Sequence, residues 1–135
     1  MRICNVNYTD LDNKKQSGTF FFNMNKFQVA KFVMTCPEEA KTVSELTQKG
    51  KTDATFEDLE KALAAIMKAS YGTMDANRKF VGDIKAGEDF VNTEAYYELA
   101  GGLLLNPEEL IEFMKAVAPG VDLSEAQAEI SKLKD

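Results

Sequence analysis

Histidine is absent from the 135 residues. Its absence removes the commonest general base at neutral pH, every Ser-His or Cys-His nucleophile pair and every imidazole metal ligand. Cysteine occurs twice, as Cys4 and Cys36. Two thiols cannot close a tetrahedral zinc site, and these stand too far apart for a Cys-x-x-Cys redox pair; reduced, buried thiols of a cytosolic protein are expected. No apolar run approaches the roughly 20 residues that span a bilayer. The N-terminal Met1-Arg2-Ile3-Cys4-Asn5 lacks the apolar stretch of a signal peptide. Positive charge is the scarcer sign, with 16 Lys plus Arg against 22 Asp plus Glu and a net charge of -6. The field of the whole chain therefore repels phosphate backbones and anionic headgroups. The reading expects no catalytic residue, no metal, no cofactor, no nucleic acid and no membrane partner.

What is present suffices for one core. A chain of this length buries about two-thirds of the surface that its unfolded form exposes, and 44% hydrophobic residues with 10% aromatics supply the material. One domain over residues 1–135 is expected, with no internal repeat or linker to divide it.

The local patterns predict an α+β fold in which an N-terminal β-hairpin packs on a bundle of about five or six short α-helices. Residues 1–23 carry the hairpin signal, because Ile3, Val6, Tyr8 and Thr19-Phe20-Phe21-Phe22 flank the polar stretch Thr9 to Gly18. Three adjacent phenylalanines defeat simple alternation, so at least one must meet a second apolar surface. The helical body spans 24–119. Its first helix is expected to turn Phe27, Ala30 and Met34 inward, widened by Phe32 and Val33, and to end at Pro37. Pro37 opens the next helix, which Gly50 ends. Thr55-Phe56-Glu57-Asp58 resembles a capping box for the strongest helix, with Phe56, Leu59, Leu63, Ile66, Met67 and Tyr71 inward and Gly72 as a left-handed C-cap.

Residues 72–89 read as an ordered loop ending in one helical turn. Thr93 is expected to cap a helix presenting Tyr96, Leu99 and Leu103, and Asn106-Pro107 the next, which Pro119-Gly120 stops. Ser124 and Gln127 signal a last helix over 120–135 with a stripe of Ala126, Ile130 and Leu133, the segment expected to be most loosely attached.

Each motif suggestive of chemistry has a plainer explanation. Glu38-Glu39, Glu57-Asp58 and Glu108-Glu109 occupy first turns of predicted helices, where carboxylates favour the positive end of the dipole. Lys14-Lys15 and Arg78-Lys79 read as solvated turn residues. Gly101-Gly102 lacks a phosphate-loop context and reads as a close helix contact or a kink. Asp75-x-Asn77 lacks the glycine and terminal glutamate of a calcium loop. Apolar surplus remains: Phe27, Phe32, Leu103, Leu104, Leu105, Phe113, Ile130 and Leu133 sit on short helices that cannot easily bury all of them. Leu103, Leu105, Ile130 and Leu133, on the least self-sufficient helices, are the expected partner-binding surface.

Four pieces in fixed order carry a family resemblance. Phe20-Phe21-Phe22-Asn23-Met24-Asn25-Lys26, Tyr71-Gly72, Arg78-Lys79-Phe80 and Phe90-x-x-Thr93-Glu94-Ala95-Tyr96-x-x-Leu99 resemble the tail assembly chaperones of long-tailed bacteriophages. The resemblance runs from about residue 2 to about residue 119. It departs most between Cys36 and Thr55, and 121–135 shows no counterpart.

The resemblance implies a non-catalytic chaperone of the host bacterial cytoplasm. Such a protein binds the long helical tape measure protein, keeps it soluble and gives way as tail tube protein, a further partner, polymerises; homo-oligomers are expected. Tyr71, Gly72, Arg78, Phe80, Phe90, Thr93 and Tyr96 carry over as determinants of the fold. A second reading, a small acidic inhibitor or adaptor on a basic host surface, rests on the net charge of -6.

Overall fold

A computed structural model describes residues 1–118 and 123–134 of the chain. The hairpin forms from β1 (Arg2–Thr9) and β2 (Lys15–Phe22), paired antiparallel over eight residues each. Its even-numbered β1 positions Cys4 and Val6 are buried while Ile3, Asn5 and Asn7 face outward, the alternation that a half-buried strand requires. Asp10 shapes the connecting loop by accepting the backbone N–H groups of Asp12 and Lys14.

Seven helices follow among the described residues. They are α1 (Lys26–Thr35), α2 (Pro37–Lys49), α3 (Phe56–Ser70), α4 (Ile84–Phe90), α5 (Glu94–Leu104), α6 (Pro107–Ala116) and α7 (Leu123–Lys134). Their starts follow from side-chain caps that satisfy otherwise orphaned N–H groups. Asn25 and Gln28 form a reciprocal capping box on α1, Thr55 caps α3 and Thr93 caps α5. Asn106 caps α6 ahead of Pro107, Pro37 opens α2, and Gly50 ends it at φ 72°. Pro119-Gly120 and the side chain of Ser124 lie outside the described residues.

Residues 71–82 correct the loop expectation. Between α3 and α4 lie two short strands, β3 (Tyr71–Met74) and β4 (Phe80–Gly82), which extend the hairpin to a four-stranded antiparallel sheet in the order β1-β2-β3-β4. Asp75 builds their turn by accepting the N–H groups of Asn77 and Lys79, and Arg78 takes φ 60°. Gly72 is accordingly a strand residue, and Tyr71, extended, is the C-cap of α3.

The core lies between the sheet and the helices. Phe22, with none of its surface exposed, meets Tyr71, Phe90 and Phe113 with ring centroids 5.8, 5.8 and 5.3 Å away. One member of the phenylalanine triplet thus finds the second apolar surface in α4 and α6. α5 packs on β1 and α6, while α7 packs across α1 and α2. The inward stripe of α1 is Val29, Phe32 and Val33; Phe27 and Met34 are exposed, at 75% and 56%. Phe56, at the start of α3, is exposed as well. α1 turns Val29 rather than Phe27 inward because α2, α3 and α7 all lie on that side.

Candidate functional site

α3 has two working faces. Ala62, Leu63, Ile66, Met67 and Ser70 are buried in the core. Lys61, Ala64, Ala65, Lys68 and Ala69, at helical spacing one step round, line an open groove instead. The groove has a volume of about 490 Å³ and runs between α3, α1 and α4, closed at one end by the start of α2. Phe32 of α1 and the three alanines make its floor, and Ile84 of α4 makes an exposed apolar wall. Alanine is the best helix former and the smallest apolar side chain, so this face keeps its helix while leaving a trough.

The rim is charged. Lys31, Lys61 and Lys68 stand against Glu39 and Glu88. Among the described residues, none of these lysines is held in an ion pair. On a chain with net charge -6, this makes the groove locally the less acidic surface. The stretch from Lys61 to Ala69 covers about 12 Å of helix axis, a little over two turns. An apolar trough of that length with lysines on its lip can seat one amphipathic helix, apolar side down and acidic side chains toward the lysines. Phe27 and Met34 are exposed two turns apart on α1, beside the groove.

The titratable groups are tuned away from reactivity. Burial pushes the Cys4 thiol up, only partly offset by the charge and hydrogen bond of Arg2. A nucleophilic cysteine needs the opposite shift. Burial raises Tyr71, helped by Asp83, and raises Tyr96, helped by Glu60 and then Tyr97. Cys4 and Cys36 are both free thiols. The fold brings Glu38, Glu39, Thr42, Asp58 and Lys61 around a hollow of about 190 Å³. Among the described residues, no three His, Cys, Asp or Glu side chains are placed to hold a metal ion, and no helix is long and apolar enough to cross a membrane.

The residues singled out from sequence fall into two groups. Tyr71, Phe90 and Tyr96 join one aromatic cluster, with Tyr71 stacked on Phe90 at 5.0 Å and Tyr96 edge-on at 6.0 Å. Gly72 and Phe80 pack together in the sheet, Arg78 sits in the exposed β3–β4 turn, and Thr93 accepts the N–H of Tyr96.

The second group needs correction. Leu103 and Ile130, expected on a partner-facing surface, are 5% and 9% exposed and belong to the core. Leu103 shares the inward face of α5 with Ala95, Tyr96 and Ala100, and Ile130 lies two turns beyond buried Leu123 on a helix packed against α1 and α2. Leu105 and Leu133 are free, at 87% and 84%. Gly101 and Gly102 mark no close contact, since a β-carbon on either would meet nothing within 4 Å. The groove itself escaped the sequence reading because alanines carry little periodic signal; their spacing at 64, 65 and 69 between Lys61 and Lys68 was the available clue.

A groove built to accept a helix, on a small domain whose buried thiol and phenols are held protonated, defines a protein-binding module. The family model described as phage tail assembly chaperone matches residues 1–133, and the chain belongs to that family. The match reaches beyond residue 119, where the resemblance of individual motifs ends. Neither a curated protein nor a solved structure matches the chain.

Proposed function

We propose that this chain is the chaperone of its phage's tape measure protein: it binds the long helical protein, keeps it soluble in the host bacterial cytoplasm and yields it to tail tube protein as the tube polymerises. The role is non-catalytic. The observation that carries this reading is the groove between α1, α3 and α4, with Phe32, Ala64, Ala65, Ala69 and Ile84 as its apolar lining. Its dimensions suit a helical segment, and the lysine rim suits acidic side chains flanking that segment's apolar seam.

The physics favours many weak contacts. Burying on the order of 300 to 500 Å² of apolar area gains about 8 to 12 kcal/mol gross at 25 cal/mol per Å², much of it cancelled by lost freedom on association. Many copies along one partner, themselves self-associating, give high occupancy by avidity, yet each single contact remains displaceable. Leu105 and Leu133, exposed on other helices, serve as peripheral contacts. The whole chain acts as a single domain.

Co-expression with the tape measure protein tests the reading. The wild-type chain is expected to hold that protein in the soluble fraction, and Ala65→Glu, which sets a carboxylate on the groove floor, to lose it. Equal solubility with and without the wild-type chain refutes the proposal.

A further inference from the structure

The sheet has two edges, and they differ. β4 is three residues long and flanked by Lys79 and Asp83. β1 is eight residues long, pairs only with β2, and carries no proline, lysine or carboxylate from Arg2 to Thr9. Natural proteins usually guard such an edge with those devices, because its unpaired N–H and C=O groups otherwise recruit another strand. Here the register with β2 runs unbroken from Arg2 to Thr9, so no bulge twists the edge away.

The ends of this strand carry opposite charges, Arg2 at the start and Asp10 one residue past the end. Asp10 stays ionised, since the N–H of Lys14 and the side chain of Gln16 hold its pKa below the ordinary value. The Nε of Arg2 is buried and has no hydrogen-bond partner within the chain. We infer that two copies of this chain join through their β1 edges, antiparallel about Val6.

In that register Arg2 of each copy stands opposite Asp10 of the other, twice by symmetry. The carboxylate supplies the acceptor that the lone chain does not offer the guanidinium. Cys4 faces Tyr8 and Val6 faces Val6 on the helix-covered side, while Asn5 faces Asn7 on the open side. Buried positions thus continue buried positions, and two four-stranded sheets become one of eight strands. A foreign strand has no reason to reverse this order of charges, whereas a second copy does so necessarily.

The groove borders Gln28 and Ile84, at the β4 end of the sheet. Pairing through β1 therefore leaves it open, and each dimer presents two grooves to a long partner, which raises effective concentration. The inference rests on the reading that copies self-associate; it is independent of what fills the groove.

Sedimentation gives the first test. The wild-type chain is expected at twice the 15.0 kDa of one copy. Arg2→Glu, which sets carboxylate against carboxylate at both ends, is expected to raise the dimer dissociation constant about tenfold or more. Cross-linking gives the second, which does not depend on that variant folding. In a Cys36→Ser background, a mixture of Asn5→Cys and Asn7→Cys chains is expected to form an interchain disulfide faster than either alone. A monomeric wild-type chain overturns self-association itself. An oligomer that cross-links no faster in the mixture overturns this interface and leaves self-association standing.

Discussion

The ring of Phe80 lies where a β-carbon on Gly72 would stand, with the carbonyl of Val81 equally close. The backbone of Gly72 is ordinary strand, so the position requires space and not a special dihedral. Gly72→Ala is therefore expected to cost about 1 to 3 kcal/mol, the range for overpacking a filled site. Gly102→Ala should do the reverse and stabilise by about 0.5 to 1 kcal/mol, because it replaces a helix-weakening residue in open space. Urea denaturation of both variants decides. Equal effects at the two positions would show that Phe80 does not fill the site.

Phe22 ties the hairpin to the helical body through Phe90 and Phe113. Phe22→Ala is expected to cost about 3 to 5 kcal/mol, and the loss should appear in every element at once. Hydrogen exchange on the wild-type chain should show β1, α3 and α6 opening together in one global unfolding event. A hairpin that exchanges far ahead of α3 would contradict the single domain.

Alkaline stability follows from three raised groups. Cys4, Tyr71 and Tyr96 have folded pKa values above their ordinary 9.0, 10.0 and 10.0. Above those ordinary values the unfolded chain releases protons that the folded chain retains, so stability is complete below about pH 9 and falls as pH rises through 9 and 10. With no histidine to titrate, stability should be nearly level between about pH 5 and 8. The Tyr71→Phe, Tyr96→Phe double variant should decline less steeply above pH 10 in denaturant midpoints. An unchanged slope would sink the assignment.

Elements announced by a cap were legible in the sequence. Asn106, Thr93, Thr55 and Pro37 each mark a helix start that the structure keeps, because a cap is a local hydrogen bond that no tertiary partner needs to supply. Burial was legible only where a stripe was one-sided. On α1, Phe27 and Val29 compete for the inward face, and the outcome depends on where α2, α3 and α7 lie. β3 and β4 were hidden by their brevity and by Gly72 and Gly82, which resemble turn residues until Phe80 is seen to cover one of them. The groove was hidden for a similar reason, since its floor is formed by alanines of α3 and a phenylalanine of α1 that are distant in sequence.

Salt separates an apolar contact from an acidic mimic. If the groove floor dominates, capture of the tape measure protein should persist or strengthen with added sodium sulfate. An inhibitor that acts by its net charge of -6 should let go instead, because screening weakens exposed charge pairs. Lys61→Glu with Lys68→Glu should weaken capture at low salt and matter less at high salt, read by pull-down across a salt series. Loss of wild-type capture on raising salt favours the acidic adaptor.

The most direct measurement is the affinity of the purified chain for helical segments of the tape measure protein, by fluorescence anisotropy, for wild type, Ala65→Glu and the Leu105→Lys, Leu133→Lys double variant. The groove account predicts a loss of about tenfold or more for Ala65→Glu, with its circular dichroism unchanged, and a loss of only a few-fold for the double variant. Binding by Ala65→Glu at wild-type strength, with the double variant crippled, would move the contact from α1, α3 and α4 to the far helices.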